Sequence, residues 1–342
     1  MASYASPAPD RSAQRKFFVT TPIPEPAMTM LRRSGHVDLP SGALSDTDLE
    51  CACASGRYDV IVAQLNDRFD RDVLDAARIR GISNFAVGYN NIDVEHATAN
   101  GVMVANTPEV LTDATADIAM LLILATARRA VEADTFMRSG QFDGWKPNLL
   151  LGHDITDRTL GLVGFGRIAR ATARRAVAFG MNVIFCARPS TERPTDTRDL
   201  ADLAGSVRSV GWDELVTTSD FLSVHVPLNE QTHHLVNAAV LNAMKPSSIL
   251  INTARGPIVD ETALVSALES KAIAAAGLDV YEDEPRMATG LAQLPNTVLL
   301  PHIGSATVSV RAEMARLCAL NAIAIAAGTI PPHAVNPQAW DL

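Results

Sequence analysis

The segment TARGPIVD, residues 253–260, directly follows the apolar run Ser248–Asn252, which has the composition of a buried strand. Arg255 therefore stands where a buried strand ends. An unpaired charge at that depth is costly, so either a protein carboxylate or an anionic ligand must meet it. An arginine in such a place can hold a carboxylate through two parallel hydrogen bonds.

Two other residues with reactive side chains occupy comparable positions. Glu284 follows AAAGLDVYED and precedes a proline, and His302 lies in VLLPHIGSAT after another apolar run. A protonated histidine can give a proton to a carbonyl oxygen as hydride reaches the carbon, and a nearby carboxylate favours the imidazolium. Each residue alone also fits a structural role, because Arg255 and Glu284 could form a simple ion pair and a strand-end histidine is often structural.

A glycine pattern indicates the cofactor. TLGLVGFGRIARATARR contains Gly164, Gly166 and Ala169 in the form G-x-G-x-x-A, after a strand and at the start of a helix. Glycines at these places let backbone N–H groups approach a pyrophosphate at the helix N-terminus. Because strand, helix and next strand fit a βαβ unit, the pattern predicts dinucleotide binding. The alternative is a tight structural turn.

The end of the next strand predicts which dinucleotide binds. An acid there contacts the ribose hydroxyl of NAD, whereas a basic residue suits the 2′-phosphate of NADP. The sequence FCARPST places Arg188 there, with Ser190 beside it and no acid before Glu192. This favours NADP(H), with NAD(H) possible. The alternative is a solvated loop arginine that leaves the preference open.

Short apolar runs alternate with helical patterns along the whole chain, which predicts an α/β protein with parallel sheets. Strand candidates in the first series are KFFVT, DVIVAQ, ISNFAV and VMVAN. The second series begins at TLGLVG and continues with MNVIFCA, DFLSVHV, SSILINT and IAAAGLDV. Two series indicate two doubly wound domains, with the break in residues 106–117.

Composition excludes several classes of protein. The 342 residues are 47% hydrophobic and 20% charged with a net charge of −9, so no nucleic-acid partner is expected. The four cysteines are scattered, which favours a reduced, cytoplasmic protein. Residues 1–16 are interpreted as a disordered tail. The strongest apolar stretch, residues 118–127, is far shorter than the roughly 20 residues of a membrane span. The pair His233–His234 has no evident partners, and no metal site is expected.

Over nearly its whole length the chain resembles the D-isomer-specific 2-hydroxyacid dehydrogenases. The resemblance depends on VGYNNIDVEHATANGV, NTPEVLTDATADIAMLLILATARR, TLGLVGFGRIAR, INTARGPIVDETAL, AAAGLDVYEDEP and PHIGSAT. It implies that Arg255, Glu284 and His302 are catalytic, and that Val87 and Gly88 bind the substrate carboxylate through backbone N–H groups, together with Arg255. It also implies that Asp279 holds the nicotinamide carboxamide. The residues expected to bind the cofactor are Gly164, Phe165, Gly166, Arg167, Ile168, Arg188, Ser190, Val226, Pro227, Thr253, Ala254, Asp279, His302 and Gly304.

Within that family the sequence is most similar to the glyoxylate/hydroxypyruvate reductases, which commonly use NADPH. The Arg188 position fits this branch, as does WKP at residues 145–147, although an exposed loop aromatic is an equally good interpretation of Trp145. The formate dehydrogenases of the family carry glutamine where this chain has Glu284.

The resemblance also implies the domain organisation. A discontinuous, flavodoxin-like substrate-binding domain is expected from residues 17–113 and 305–336, because the last helix of the family returns to the first domain. Residues 114–304 are expected to form a Rossmann cofactor domain, with the active site in the cleft between the two. A homodimer is expected through the long apolar helix that begins the cofactor domain.

The sequence thus predicts NADPH-dependent reduction of small 2-keto acids, glyoxylate or hydroxypyruvate, to D-2-hydroxy acids, with His302 as the proton donor. One alternative is an NAD-dependent D-2-hydroxyacid dehydrogenase with another substrate. Another is a dinucleotide-sensing binding protein, like the corepressors related to this family. Loss of nicotinamide absorbance on mixing the protein, NADPH and glyoxylate would distinguish an enzyme from a sensor.

Overall fold

The computed structural model describes residues 15–187 and 206–341. Within them the chain divides into two compact units. The first unit ends at Val110 and resumes at Thr307, and the second runs from Leu111 to Ala306. The predicted boundaries were 113/114 and 304/305. Residues 1–14 of the predicted tail lie outside the described residues, but Lys16, also assigned to that tail, belongs to the first strand.

The first unit contains a five-stranded sheet whose strands are all parallel. Their order is β2-β1-β3-β4-β5, which is the flavodoxin-like order of a doubly wound fold. The strands are β1 Lys16–Val19, β2 His36–Asp38, β3 Val60–Ala63, β4 Gly81–Asn84 and β5 Met103–Ala105. β1, β3, β4 and β5 fall on the four predicted runs of the first series. The three-residue edge strand β2 was not predicted.

Helices cover both faces of this sheet. The helices of the first series are α1 Ala27–Ser34, α2 Asp46–Ala54, α3 Arg71–Ala76 and α4 Val94–Ala99. The last helix of the chain, Val308–Ala326, packs against β3, β4 and β5. Gly81 permits this approach, because a Cβ there would lie 2.9 Å from Ile325 Cγ2. The chain therefore returns to its first unit after completing the second.

The second unit is built on a seven-stranded parallel sheet in the order β12-β11-β10-β9-β6-β7-β8. This is the Rossmann order with one further strand, and the direction of winding changes between β6 and β9. The strands are β6 Thr159–Val163, β7 Asn182–Cys186, β8 Val207–Ser209, β9 Phe221–Val224, β10 Ile249–Asn252, β11 Ala275–Leu278 and β12 Thr297–Leu299. The expected pair of doubly wound parallel-sheet domains is confirmed.

Hydrophobic clusters on both faces of the second sheet explain why its strands read as continuous apolar runs. All four residues of β9, of β10 and of β11 are buried.

The helices of the second unit are α5 Thr112–Ala127, α6 Ala130–Arg138, α7 Arg167–Ala178, α8 Trp212–Thr218, α9 Ala238–Ala243 and α10 Glu261–Glu269. The returning helix of the first unit, Val308–Ala326, is α11. No helix among the described residues is long and apolar enough to cross a membrane. All four cysteines are free thiols.

Candidate active site

The candidate residues of the second unit gather along one edge of its sheet. β12, β11, β10, β9 and β6 are consecutive neighbours and parallel, so their carboxyl ends share that edge. In open α/β sheets this edge is where ligands bind. Each of the five strands contributes: Gly164–Ile168 follow β6, Val226 and Pro227 follow β9, Thr253–Arg255 follow β10, Asp279 and Glu284 follow β11, and His302 and Gly304 follow β12.

The glycine loop after β6 has the shape that a pyrophosphate needs. Gly164 has φ +90°, and a Cβ there would lie 2.8 Å from Val226 Cγ1, so only glycine fits. Gly166 precedes the first turn of α7 and no side chain caps that turn. A Cβ on Gly166 would meet no atom within 4 Å. The first N–H groups of α7 therefore have no side-chain cap, and N–H groups of this kind can bind an anion at a helix N-terminus.

Phe165, expected to bind cofactor, has a side chain that belongs to the core. Its ring stacks on Phe185 with centroids 3.6 Å apart, and the Arg170 guanidinium lies 4.6 Å from the same ring. Only the backbone of Phe165 is thus placed to contact a ligand. Arg167 is exposed and Ile168 half-buried on the first turn of α7. Arg188 and Ser190, on which the predicted choice of dinucleotide depends, lie outside the described residues.

The backbone around Arg255 is fixed by the side chain of Asn252, the last residue of β10. Its amide Nδ2 donates to the Arg255 carbonyl oxygen at 2.9 Å, and its Oδ1 accepts from the Ala254 N–H at 3.0 Å. The guanidinium donates through Nη1 to the Ala254 carbonyl oxygen at 2.7 Å. Burial lowers the pKa of Arg255, and the negative charge of Glu284 acts in the opposite direction. An arginine remains charged in proteins in any case.

Gly256 brings the loop after β10 against the loop after β11. A Cβ on Gly256 would lie 1.8 Å from the carbonyl carbon and oxygen of Tyr281 and 2.4 Å from the backbone nitrogen of Glu282. These atoms are backbone, so they cannot move aside as a flexible side chain does. The close approach fixes the strand end that carries Arg255 relative to the loop that carries Glu284.

Glu284 and His302 form a hydrogen-bonded pair. His302 Nδ1 lies 2.9 Å from Glu284 Oε2, and Glu284 Oε1 accepts from the Tyr281 N–H at 3.0 Å. Burial alone would raise the pKa of Glu284. The hydrogen bond and charge of His302, with smaller contributions from the Tyr281 N–H and the Arg255 charge, more than offset it, so this pKa is below its usual range. The pair therefore contains a carboxylate at neutral pH.

Asp279 holds the loop that carries His302. Its two carboxylate oxygens accept from the Ile303 and Gly304 N–H groups, each at 2.7 Å. Burial raises the pKa of Asp279, and these two hydrogen bonds and the charge of His302 act against that rise. His302 itself has φ +55°, in the left-handed region that costs a non-glycine residue about 1–3 kcal/mol. The two hydrogen bonds to Asp279 maintain this strained conformation.

Thr253 supplies an independent sign of a ligand. Among the described residues, the buried side-chain atoms without a hydrogen-bond partner are Thr253 Oγ1, Thr107 Oγ1 and Gln64 Nε2. Such atoms are rare in native proteins and mark places where a ligand or water completes the bonding. Thr253 follows β10 at the edge that bears the glycine loop. The open helix start and this hydroxyl both fit a bound dinucleotide.

In the first unit, Val87 and Gly88 follow β4, and both carbonyl oxygens are held by asparagine amides. Asn106 Nδ2 donates to the Val87 carbonyl at 2.7 Å, and Asn84 Nδ2 donates to the Gly88 carbonyl at 3.0 Å. Asn321 on α11 holds Asn106 in turn, donating to its carbonyl oxygen at 2.8 Å. With its carbonyls fixed, the loop keeps one orientation of its peptide groups, as a site built from backbone N–H groups needs.

The prediction missed the residue that meets the histidine pair. His234 Nε2 lies 2.5 Å from Glu282 Oε1, and the His233 ring stacks on that of His234 with centroids 4.1 Å apart. The three side chains could together ligate a metal. Glu282, however, is already engaged, because its other oxygen accepts from the Glu261 N–H at 3.1 Å. We interpret the group as a contact between loops.

Sequence reasoning also missed His225, at the end of β9. Its backbone carbonyl oxygen would lie 2.9 Å from a Cβ on Gly164, and its Nε2 lies 2.9 Å from Ser223 Oγ. Burial lowers its pKa to about 4, so this imidazole is neutral at neutral pH. The sequence did offer a sign of its place, because His225 directly precedes Val226, a residue predicted to line the cofactor site, in DFLSVHV. No local sequence pattern marked the asparagines that hold the carbonyl groups of Val87 and Gly88.

Proteins of similar sequence and fold cover most of this chain. The sequence profile of the D-isomer specific 2-hydroxyacid dehydrogenase NAD binding domain matches residues 120–304. The glyoxylate reductase of Thermococcus litoralis is 44% identical over 333 residues, covering 94% of this chain and 96% of that protein. A crystal structure of a glyoxylate reductase from Paecilomyes thermophila superposes with a TM-score of 0.82 at 34% identity, over 95% of this chain and 99% of that one.

A structure of an NADPH-dependent glyoxylate/hydroxypyruvate reductase from Sinorhizobium meliloti, in complex with NADP and malonate, gives a TM-score of 0.82 at 32% identity, covering 95% of this chain and 98% of that one. Fold, glycine loop and relatives together define an NAD(P)-dependent oxidoreductase. The chain belongs to the D-isomer specific 2-hydroxyacid dehydrogenase family.

The close approach at Gly256 generates the first prediction. In Gly256→Ala the added methyl group meets the backbone of Tyr281, so we expect a destabilisation of about 1–3 kcal/mol or more, with the thermal midpoint lowered by several degrees. Gly42→Ala is the control, because a Cβ there would meet nothing within 4 Å. Thermal unfolding of the two variants tests this. Equal midpoints would show that the loop contact is not a constraint.

Proposed function

We propose that this protein reduces small 2-keto acids, glyoxylate and hydroxypyruvate, to 2-hydroxy acids of D configuration, with NADPH as the reductant. The observation that carries the proposal is the Glu284–His302 pair, at the sheet edge that also bears Arg255 and the glycine loop. The named activities of the relatives from Thermococcus litoralis and Sinorhizobium meliloti support it.

In the proposed reaction His302 donates the proton to the keto oxygen. When bound, the dihydronicotinamide supplies the hydride. Glu284 holds Nδ1 of His302 at 2.9 Å, which leaves Nε2 as the ring nitrogen that can face a substrate. The Glu284 carboxylate stays ionised at neutral pH, so a negative charge lies against the ring that is proposed to donate the proton. Oxidation of the hydroxy acid would instead need the neutral ring.

The substrate carboxylate is assigned to Arg255 in the second unit and to the N–H groups of Val87 and Gly88 in the first. The guanidinium presents a planar fork that matches a carboxylate, and its fixed backbone limits the freedom lost on binding. The fixed carbonyls of Val87 and Gly88 support the second assignment.

For the cofactor we assign Gly164, Gly166 and the first turn of α7 to the pyrophosphate, and Thr253 and Val226 to the lining of the site. Asp279 is proposed to accept from the nicotinamide carboxamide. Each of its oxygens accepts one N–H in the structure, and a carboxylate oxygen can accept a second hydrogen bond. The remaining lining residues are proposed as in the sequence analysis: Phe165, Arg167, Ile168, Pro227, Ala254, His302 and Gly304.

We also propose a homodimer formed through α5 and α6. Most apolar residues of α5 are buried within its own unit, so this helix does not serve an interface alone. Leu121 on the same helix is exposed. α6 has no buried residue, and Val131, Met137 and Leu151 on and near it are exposed apolar side chains. A second copy of the chain packed here would bury these exposed apolar side chains. Light scattering is the deciding measurement.

A reducing, cytoplasmic setting is proposed as well, supported by the four free thiols.

The role of Arg255 generates the second prediction. Arg255→Lys keeps the charge but loses the planar fork, so we expect the catalytic efficiency to fall by the equivalent of about 2–4 kcal/mol, chiefly through substrate binding. NADPH affinity should hardly change. Arg286→Lys, at an exposed arginine paired with Asp283, is the control and should behave like wild type. Near-normal efficiency in Arg255→Lys would remove this residue from the site.

The proton-donating pair generates the third prediction. His302→Ala should lower keto-acid turnover by about 10²–10⁴-fold, with NADPH binding retained. Glu284→Gln removes the charge that favours the imidazolium, so the rate of reduction should begin to fall at a lower pH than in wild type. Kinetics across the pH range test this. Glu282→Gln removes the same charge two residues away and should shift the profile far less. An unchanged profile in Glu284→Gln would indicate a structural role.

The choice of dinucleotide generates the fourth prediction. Arg188→Ala should raise the Michaelis constant for NADPH and leave that for NADH about the same, because only NADPH carries the phosphate that the arginine would bind. Steady-state kinetics with both cofactors test this. A wild-type protein that prefers NADH contradicts the proposed selectivity.

A further inference from the structure

The side chain of Gln64 is unsatisfied at the strand ends of the first unit. Gln64 follows β3 directly, and its Nε2 is buried without a hydrogen-bond partner among the described residues. The neighbouring polar groups are satisfied. The Gln64 N–H donates to Asp67 Oδ2 at 2.7 Å, and the Gln64 carbonyl accepts from Asn91 Nδ2 at 3.1 Å. The backbone of this residue is therefore fixed, while the described residues leave its Nε2 without a hydrogen-bond partner.

The residue that carries the unsatisfied amide is linked to the Val87–Gly88 loop. β3 and β4 are parallel neighbours that end together at Ala63 and Asn84. Asn91, which binds the Gln64 carbonyl, also contacts Asn84, and Asn84 holds the Gly88 carbonyl. Two side-chain amides, those of Asn91 and Asn84, thus connect the backbone carbonyl of Gln64 to the loop. The second unsatisfied atom of this unit, Thr107 Oγ1, belongs to a residue whose N–H donates to the Ala86 carbonyl at 2.8 Å, next to the same loop.

A buried polar group without a partner destabilises a protein, so its presence near a candidate ligand loop points to a ligand contact. The proposed substrates differ in the group on the carbonyl carbon, which is the group that would meet the Gln64 amide. Glyoxylate has only hydrogen on the carbonyl carbon, whereas hydroxypyruvate carries a hydroxymethyl group there. A hydroxyl can both donate and accept, so it satisfies the amide whichever way the amide is turned.

We propose that Gln64 binds the 3-hydroxyl of the substrate and makes the enzyme selective for 3-hydroxy-2-keto acids over 2-keto acids without that group. This inference rests on the proposed function, because it takes the Val87–Gly88 loop as the place of the substrate carboxylate. A site that hydrogen-bonds a substrate hydroxyl discriminates strongly against analogues that lack it, since its own polar group is then left unpaired.

The test compares hydroxypyruvate, pyruvate and glyoxylate as substrates of wild type and Gln64→Met, which keeps the side-chain length and removes the amide. We expect wild type to prefer hydroxypyruvate over pyruvate by at least tenfold. In Gln64→Met the kcat/KM for hydroxypyruvate should fall by about 10–100-fold, while the values for pyruvate and glyoxylate change by less than about threefold. Gln338→Met, at an exposed glutamine of the same unit, is the control and should leave all three values unchanged.

Thermal unfolding distinguishes this role from a structural one. Because the Gln64 amide is unpaired, Gln64→Met should unfold at the same temperature as wild type or higher. A clear fall in the midpoint, or an equal loss of activity on all three substrates, would overturn the inference. So would an unchanged preference, which would mean that the amide binds water. If wild type reduces none of the three with NADPH or NADH, the proposed function fails as well, whereas turnover with an unchanged preference overturns the inference alone.

Discussion

The contact between Gly256 and the backbone of Tyr281 is the constraint on which the candidate site depends. It leaves no room for a Cβ, so only a glycine at this position lets the chain after β10 approach the chain after β11 this closely. Arg255 stands immediately before Gly256 in the chain. On the other side of the contact, the N–H of Tyr281 donates a hydrogen bond to Glu284. One backbone contact thus places a cation and a carboxylate that are 29 residues apart in sequence.

The position of His302 depends on the same frame through two carboxylates. Asp279, at the end of β11, holds the N–H groups of Ile303 and Gly304, and Glu284 holds Nδ1 of the ring. Both carboxylates are partly removed from water, and their pKa values move in opposite directions. That of Asp279 rises with burial, whereas His302 and its neighbours lower that of Glu284. The carboxylate with the lowered pKa is therefore the one that contacts the ring.

Most of the fold could be predicted from the sequence, because buried parallel strands are continuous apolar runs between helical patterns. The predicted runs of both series became strands, but β2 and β8 were missed. Each is an edge strand of three residues, partly exposed, so its sequence carries neither an apolar run nor strict alternation. The apolar helix α5 illustrates the opposite limit. Its composition indicated a buried surface, but not that most of this surface would pack within its own unit.

The candidate site was predictable where a residue type follows a strand, as for Arg255, Glu284 and His302. It was not predictable where the role of a residue depends on partners that are distant in sequence. Glu282 meets His234 across 48 residues, and Asn321 reaches Asn106 across 215. Such pairings are determined by how the chain packs and leave no local pattern. The unpaired amide of Gln64 could likewise be recognised only once all of its neighbours were known.

The most direct test of the central claim is the fate of hydride and the configuration of the product. NADPH labelled with deuterium on the transferred position of the dihydronicotinamide is mixed with hydroxypyruvate and the protein, and the product is analysed by mass spectrometry and chiral chromatography. We expect D-glycerate with one deuterium on C2, formed rapidly by wild type and far more slowly by His302→Ala. An L product, an unlabelled product or undiminished turnover in His302→Ala would contradict it.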